Sequence, residues 1–290
     1  MLDHLITGGT VVDGTGSAPR LADVAVRDGR IVAIAAPGEI VEDAANTIDA
    51  TGQLVIPGII DPHTHYDAQL FWDGGASPSN VHGVTTVIGG NCGFTLAPLR
   101  AEDAAYTREF MASVEGMSVA ALEEGVPWNW ETFAEYLDRL EGKIGVNAGF
   151  LVGHNALRRY IMGADSVGNE ATEEQVAAMQ SLLAESIEAG GLGFSTTLSR
   201  THSDGDGQPV ASRWASTEEI LALCEVVEQH PGTTLEAMTD GCLDQFSDEE
   251  IELFSDMSAT AKRPLNWNVM TIDSREPTRI PRQLSAGDRA

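Results

Sequence analysis

The side chains in this sequence that are best suited to chemistry are two histidines, His63 and His65, separated by one residue. They follow an apolar run, residues 54–60, whose composition predicts a fully buried strand. Along an extended chain successive side chains point to opposite faces, so residues two apart lie on the same face. Two imidazoles placed in this way can bind one metal ion.

A cysteine, Cys92, follows a second apolar run, residues 85–88, and a pair of glycines. If both runs are parallel strands of one barrel, Cys92 emerges at the same edge as the two histidines. Zinc accepts both nitrogen and thiolate ligands. A lone His-x-His pair is usually a surface feature and a lone buried cysteine usually packs as a small hydrophobe. The joint placement after two predicted strands favours a metal site formed by His63, His65 and Cys92.

Two sequence motifs carry a resemblance to a known family. The run Pro-Gly-Ile-Ile-Asp-Pro-His-Thr-His, residues 57–65, is similar to the first-strand signature of the amidohydrolase superfamily. The later Gly-Gly-Asn-Cys-Gly, residues 89–93, continuing to Ala-Pro-Leu at 97–99, resembles the D-aminoacylase (N-acyl-D-amino-acid deacylase) branch. The resemblance extends over essentially the whole chain. It implies a zinc-dependent amidohydrolase with His63, His65 and Cys92 as metal ligands.

The resemblance also implies histidines on strands five and six and a catalytic aspartate after strand eight, and these do not carry over. Strand five holds Glu236 and strand six holds Asn266 and Asn268. The expected aspartate would lie beyond Ala290, so no catalytic residue is assigned. Glu236 is an acceptable fourth zinc ligand, but amides bind zinc poorly. We therefore expect one zinc ion, with two as the alternative.

Three further residues are candidates for contacting a substrate. His154 ends the third predicted strand, on the side where barrels keep their chemistry, although it could equally hydrogen-bond the start of the next helix. Ser195 ends the fourth strand, where small polar residues also form turns. Arg200 offers a bidentate donor for a substrate carboxylate. His202, in an acidic and glycine-rich loop, is expected to belong to a mobile lid.

The elements that would position these residues alternate between strand-like runs and amphipathic helices, which predicts an α/β fold with parallel strands. Three helix starts are marked by capping boxes, at Thr172, Ser216 and Ser247. The predicted strands begin near Val55, Thr85, Asn147, Leu192, Thr233 and Leu265. A (β/α)₈ barrel requires eight strands. We therefore predict that residues 54–290 form an incomplete TIM-barrel domain.

Residues 1–53 contain short apolar runs set off by turn residues, with Asp28-Gly29 as a strong hairpin signal. They predict a small antiparallel sheet, and the family resemblance implies that it is part of a small β-sandwich domain beside the barrel.

The composition excludes several classes of function. With 44 acidic against 17 basic side chains, the net charge of −27 argues against nucleic-acid or anionic-membrane partners. The sequence contains no transmembrane-length apolar run and no N-terminal signal pattern, which favours a cytoplasmic protein. Its three cysteines suggest no disulfide framework.

The function most consistent with these patterns is zinc-dependent deacylation of N-acyl-D-amino acids to a carboxylate and a D-amino acid. One alternative is a cyclic-amide hydrolase of the hydantoinase or dihydroorotase type. Such relatives usually place a carboxylated lysine on a later strand, and Lys143 and Lys262 both precede strands. A second alternative is a non-catalytic, incomplete barrel half without turnover. The partners expected are a small N-acyl amino acid and either a second chain or C-terminal half that completes the barrel, or another copy of this chain.

Overall fold

The N-terminal sheet is organised around one long strand that pairs on both sides. We describe the protein from a computed structural model that covers residues 1–270 and 272–289, so Ala290, the end of the predicted 54–290 domain, lies outside the described residues. Contacts divide the chain into two units, Met1–Ile59 and Ile60–Ala290. The strands of the first unit are β1 (Leu2–Val11), β2 (Arg20–Arg27), β3 (Arg30–Ala35), β4 (Ala44–Asp49) and β5 (Leu54–Val55).

This first sheet is mixed, which corrects the expectation of an antiparallel sheet. Strand β2 pairs antiparallel with β1 and β3, whereas β4 and β5 pair parallel with β1. The hairpin predicted at Asp28-Gly29 is confirmed, with φ of 51° and 67° at its two turn residues. Positive φ at both central residues is typical of a type I′ turn, whose backbone twist matches the twist of the two strands it joins. The predicted β-sandwich stays a prediction.

The second unit confirms the α/β class. Its parallel pairs run in chain order, which is the arrangement that βα units produce. The strands are β6 (Ile59–Asp61), β7 (Val84–Gly89), β8 (Asn147–Phe150), β9 (Val152–Gly153), β10 (Gly193–Thr197), β11 (Thr234–Met238) and β12 (Leu265–Trp267). They form two sheets, ordered β6-β7-β8 and β12-β11-β10-β9.

Helices occupy most of the connections between these strands. Their bounds are α1 (Ala104–Glu115), α2 (Val119–Gly125), α3 (Phe133–Leu140), α4 (His154–Met162), α5 (Glu173–Glu188), α6 (Thr217–Gln229), α7 (Asp248–Ala261) and α8 (Arg279–Gly287). Buried apolar side chains of strands and helices join in one large core cluster. Within the described residues, no helix is long and apolar enough to cross a membrane.

The predicted strand near Val55 is two short strands, and the prediction of full burial is wrong. Strand β5 belongs to the first sheet and β6 to the second, and Pro57 separates them because proline lacks the N–H that a ladder needs. Leu54 is 68% exposed and Ile60 is 61% exposed. Strand β6 is an edge strand of its sheet, so one side has no neighbouring strand among the described residues.

The register of β9–β12 lines up four residues that matter for the site. Ser195 lies opposite Gly153 on one side and Glu236 on the other, and Glu236 lies opposite Asn266. Residues in register on adjacent parallel strands share a face of the sheet. The Ser195 and Glu236 side chains are both buried. The sheet therefore directs these two polar side chains to the same side.

The three helix starts predicted by capping boxes are confirmed. The side chains of Thr172, Ser216 and Ser247 each accept a hydrogen bond from the backbone N–H three residues later. At α6, however, the Glu219 side chain does not accept a hydrogen bond from the Ser216 backbone N–H, as it would in a full capping box. It points to a buried cluster instead, where it accepts hydrogen bonds from His154 Nε2 (2.8 Å) and Arg158 Nη1 (2.6 Å).

Replacing Glu219 by glutamine removes the only acid in contact with the buried Arg158 guanidinium among the described residues. Breaking one side of a buried ion pair leaves an uncompensated charge, so we expect a loss of about 3 kcal/mol in the free energy of unfolding. Urea denaturation measures this. The neighbouring Glu218 is exposed, so Glu218→Gln is the matched control and should stay within about 0.5 kcal/mol of the unmodified protein.

Candidate metal centre

The structure brings His63, His65 and Cys92 together. The two Nε2 atoms lie 3.2 Å apart, and Cys92 Sγ lies 3.6 Å from His63 Nε2. All three potential donor atoms lie within 4.8 Å of one another. His63 and His65 follow β6 without being part of it, and Cys92 follows β7. Two consecutive strand ends therefore meet at one small group of nitrogen and sulfur donors.

The Cys92 side chain reaches this position because its backbone is left-handed. Cys92 has φ 55°, and Gly90, two residues before it, has φ 72°. A Cβ atom on Gly90 would lie 2.1 Å from the carbonyl oxygen of Leu151, so only glycine fits there. A non-glycine residue in this region costs on the order of 1–3 kcal/mol, so neighbouring contacts must hold Cys92 in place.

Those contacts come from two polar side chains on adjacent strands, Ser195 of β10 and Glu236 of β11. The Cys92 N–H donates to Glu236 Oε2 (2.6 Å). The Ser195 hydroxyl accepts from the Gly93 N–H (3.0 Å) and donates to the Gly90 carbonyl. Strand side chains thus satisfy three backbone groups of the turn that carries the cysteine.

Glu236, predicted as a possible fourth ligand, lies beside the donor group. Its Oε1 accepts from Asn268 Nδ2 (2.7 Å) and lies 4.0 Å from Cys92 Sγ. Both carboxylate oxygens therefore have donors within the protein. Asn266, the other strand-six amide, is exposed on β12. A metal role for Glu236 stays a prediction, whereas its contact with the Cys92 backbone is direct.

The electrostatics of the pocket suit a cation. Burial, together with the neighbouring His63 and His202, lowers the pKa of His65 to about 3, and burial also lowers that of His63. Burial raises the pKa of the Cys92 thiol and raises that of Glu236 to about 8. A divalent cation would favour the same neutral imidazoles, and it would oppose the raised pKa values of Cys92 and Glu236 because it favours thiolate and carboxylate.

Several buried polar atoms in the segment that carries the histidines have no hydrogen-bond partner among the described residues. They are Nδ1 of His63, Nδ1 of His65 and Oδ1 of Asp67. The ring atoms that face Cys92 and each other are the Nε2 atoms, so the open Nδ1 atoms are places for water molecules. Asp67 is fully buried, and burial raises its pKa to about 7. The donor types, two imidazoles and one thiolate, are those that zinc binds.

Two side chains near the histidines were not assigned to the site from the sequence. Glu115, at the end of α1, places Oε1 3.6 Å from His65 Nε2. His202 bonds Thr197 Oγ1 through Nδ1 (2.8 Å) and packs edge-on against Phe94. No local pattern around Glu115 could have indicated its position, since its helix is an ordinary amphipathic one. The sequence predicts that His202 lies in a loop, but no pattern in it indicates that this loop lies close to His63 and His65.

The loop that carries His202 is held by hydrogen bonds to neighbouring segments. Ser113 Oγ donates to the carbonyls of Ser203 and Asp204, and Tyr106 donates to the Asp204 carboxylate. The expectation of a mobile lid stays a prediction.

The predicted substrate contacts have protein partners. His154 is fully buried, with both ring nitrogens bonded, to Thr196 Oγ1 (2.9 Å) and Glu219. Ser195 is bonded to the turn of the cysteine. The Arg200 side chain is 80% exposed and pairs with Asp240. The substrate roles assigned to these three residues stay predictions.

Comparison with known proteins places this geometry in a family. The sequence profile of the Amidohydrolase family matches residues 46–290. A D-aminoacylase of Alcaligenes xylosoxydans xylosoxydans is 38% identical over 240 residues, which cover 82% of this chain and 44% of that protein.

Two solved structures show the same fold. A D-aminoacylase studied for its binuclear metal center is 32% identical with a TM-score of 0.71, over 91% of this chain and 51% of its own. The N-acyl-D-glutamate deacylase of Bordetella bronchiseptica, complexed with zinc and a phosphonate inhibitor, is 26% identical with a TM-score of 0.71, over 100% and 56%. This chain thus spans about half the length of these relatives.

Replacing Glu236 by alanine tests whether that residue holds the Cys92 turn. The change leaves the buried Cys92 N–H without an acceptor, which costs about 1–3 kcal/mol of unfolding free energy. We also expect faster reaction of Cys92 with a thiol reagent, because the turn is released. Cys224 and Cys242 are buried as well, so a Cys92→Ala protein gives the background rate.

Glu236→Gln is the matched control for this experiment. Its amide oxygen can still accept from the Cys92 N–H, so its labelling rate should stay near that of the unmodified protein. Equal labelling rates for the alanine and unmodified proteins would show that Glu236 does not hold the turn.

Proposed function

The chain belongs to the amidohydrolase family, and from this membership we propose that it carries the zinc-binding part of an N-acyl-D-amino-acid deacylase. The reaction proposed is hydrolysis of a linear amide to a carboxylate and a D-amino acid. The observation that carries the proposal is the convergence of His63, His65 and Cys92, whose donor atoms lie within 4.8 Å of one another.

His63, His65 and Cys92 are the residues that would hold one zinc ion. When bound, zinc polarises an amide carbonyl and lowers the pKa of a water molecule towards neutrality. The two histidines are suited to this role as neutral imidazoles, because burial disfavours their protonated forms. Cys92 would bind as a thiolate, which a buried cysteine forms only beside a positive charge.

The other residues of the centre keep these donors in place and limit access by solvent. Glu236 and Ser195 fix the Cys92 turn through its backbone, as described above. The Phe94 ring packs against both His65 and His202 and is fully buried. An apolar wall of this kind excludes bulk water from one side of the donor group, which strengthens electrostatic interactions there.

The substrate class is inferred from the relatives. Their names describe a D-aminoacylase, an N-acyl-D-aspartate deacylase and an N-acyl-D-glutamate deacylase. We propose an N-acyl-D-amino acid as substrate, with Arg200 as the candidate partner of its carboxylate and His154 and Ser195 as further substrate-binding candidates.

The two lysines of the chain argue against a cyclic-amide hydrolase. Lys143 Nζ donates to the Arg139 carbonyl (2.8 Å), and Lys262 pairs with Glu228 at an exposed position. Neither contacts the donor group, where a carboxylated lysine would be required.

The proposal includes a cytoplasmic location and a partner for the sheet edges. Among the described residues strand β12 is the last strand of its sheet, and strand edges offer unpaired backbone groups to a further strand. The partner proposed is a second chain or a C-terminal half that completes the barrel, or another copy of this chain, and the molar mass in solution shows whether a copy or a second chain is bound.

We expect the purified protein to bind one zinc ion and to release carboxylate and amino acid from N-acetyl-D-amino acids faster than from the L-enantiomers. Cys92→Ala should weaken zinc binding by at least about tenfold, the lower end of what even indirect changes at metal sites cost. Metal analysis and a chiral product assay measure these two effects.

Cys224→Ala is the control, because Cys224 is buried in α6 and is not part of the donor group. A metal-free protein that is inert on both enantiomers would instead support the non-catalytic alternative. That alternative is motivated by Glu236, Asn266 and Asn268, which stand where the resemblance implies histidines.

A further inference from the structure

We propose that Asn155 is a positioning residue that joins the turn carrying Cys92 to the connection between β10 and α6, residues 198–216, which we call the His202 loop. The inference rests on the proposed function, because it concerns the turn that would present Cys92 to a zinc ion. Its basis is one buried side-chain amide that is hydrogen-bonded to both segments. The turn and the loop are thereby held in place together.

The Asn155 amide makes both bonds in directions that its partners dictate. Nδ2 donates to the Gly93 carbonyl (3.0 Å), and Oδ1 accepts from the Ser212 N–H (2.8 Å). A backbone N–H only donates and a carbonyl only accepts, so the two ends of the amide cannot be exchanged. Asn155 is 6% exposed and lies in the first turn of α4, directly after β9. A regular element therefore holds the amide between the two segments.

At one end the amide completes the bonding of the Cys92 turn. The N–H groups of Cys92 and Gly93 donate to Glu236 and Ser195, and the Gly93 carbonyl accepts from Asn155. Gly93 has φ 74°, and a Cβ atom there would lie 2.9 Å from Asn155 Nδ2. The turn is thus packed against the amide as well as bonded to it. Removing the amide would take this donor away from a buried carbonyl.

At the other end the amide reaches His202 through two further hydrogen bonds. Ser212 Oγ donates to the Thr197 carbonyl (2.7 Å), and Thr197 Oγ1 is hydrogen-bonded to His202 Nδ1 (2.8 Å). Ser212 and Thr197 are fully buried. Hydrogen bonds are electrostatically stronger in such surroundings than in water.

These contacts form a closed ring. The His202 ring packs edge-on against Phe94, with 4.8 Å between the ring centroids, and Phe94 directly follows Gly93. The path from the Cys92 turn through Asn155 and the His202 loop therefore returns to the same turn. Satisfied buried networks of this kind favour one arrangement of their members. Asn155 bonds both segments through one side chain, so it sets the position of the loop relative to the turn.

The experiment measures the turn and the loop separately in the metal-free protein. Labelling of Cys92 by a thiol reagent reports the turn, with Cys92→Ala as background. Trypsin cleavage after Arg200, whose side chain is 80% exposed, reports the loop and is followed by mass spectrometry. Asn155→Leu keeps the approximate shape of the side chain and removes both bonds. We expect both rates to rise by at least about fivefold, the smallest effect of leaving a buried group unpaired.

A second measurement separates positioning from general stability. With the unmodified protein saturated in zinc, cleavage after Arg200 should slow by at least about fivefold, because the ion fixes the turn and Asn155 connects the turn to the loop. In Asn155→Leu, zinc should leave the cleavage rate unchanged. A role in stability alone would raise the rate and keep the zinc effect. Asn155→Asp still accepts from the Ser212 N–H but its carboxylate cannot donate to Gly93, so it should also lose the zinc effect.

Asn147→Leu is the matched control, because the Asn147 amide also donates to a backbone carbonyl but lies exposed on β8. Cleavage after Arg275, which is 87% exposed and outside the loop, is the internal control. Both should stay within about twofold of the unmodified values, as is usual for surface changes.

The proposal is overturned if Asn155→Leu keeps the labelling and cleavage rates of the unmodified protein, or if zinc still slows its cleavage after Arg200. An unmodified protein that binds no zinc would overturn the proposed function instead. The two metal-free rates would then decide whether Asn155 joins the turn to the loop.

Discussion

The candidate site depends on how the backbone around Cys92 is held. A cysteine in the left-handed region is unfavourable on its own, and Gly90 and Gly93 on either side of it give the turn little local preference for one conformation. The turn is fixed instead by Glu236, 144 residues further along the chain, through the Cys92 N–H. Because Glu236 also accepts from Asn268, hydrogen bonds join strand β11, the segment after β12 and the cysteine turn. The direction of the Cys92 thiol follows from these contacts.

The second unit contains two groups of buried carboxylates that are balanced in different ways. Glu219 lies between His154 and Arg158, so its charge is compensated inside the protein. Glu115 contacts His65, Glu236 contacts Cys92, and Asp67 accepts from the Gly90 N–H two residues before Cys92. Burial raises the pKa of each of these three carboxyl groups. No arginine or lysine contacts them among the described residues. The first group is compensated by positive side chains of the protein, whereas the second group has no such partner and would favour a bound cation.

The departures from the family pattern are related to each other in the structure. Glu236 and Asn268 stand on the strands where the resemblance implies histidines, and they are hydrogen-bonded to one another. The pair uses its polar atoms to support Cys92. A change from ligand residues to supporting residues on two strands would leave the cation to the donors that follow β6 and β7, which are His63, His65 and Cys92. This is a physical reason to expect a single ion.

The sequence by itself determined what depends on short-range order. The spacing of His63 and His65, the Asp28-Gly29 turn, the three helix caps and the alternation of strands with helices all follow from preferences that act over a few residues. The convergence of Cys92 with the histidines could be predicted as well, because parallel strand ends meet at one edge. The burial of residues 54–60 could not, since it depends on which strands cover the edge strand β6.

Only the tertiary structure decided which carboxylates surround the donor group. Glu115 lies at the end of an ordinary amphipathic helix, and Glu219 lies in a capping motif that predicts an outward-turned side chain. Their actual partners are His65 and Arg158, from distant parts of the chain. Contacts of this kind are set by how helices pack against strands, and no residue pattern within one element encodes them.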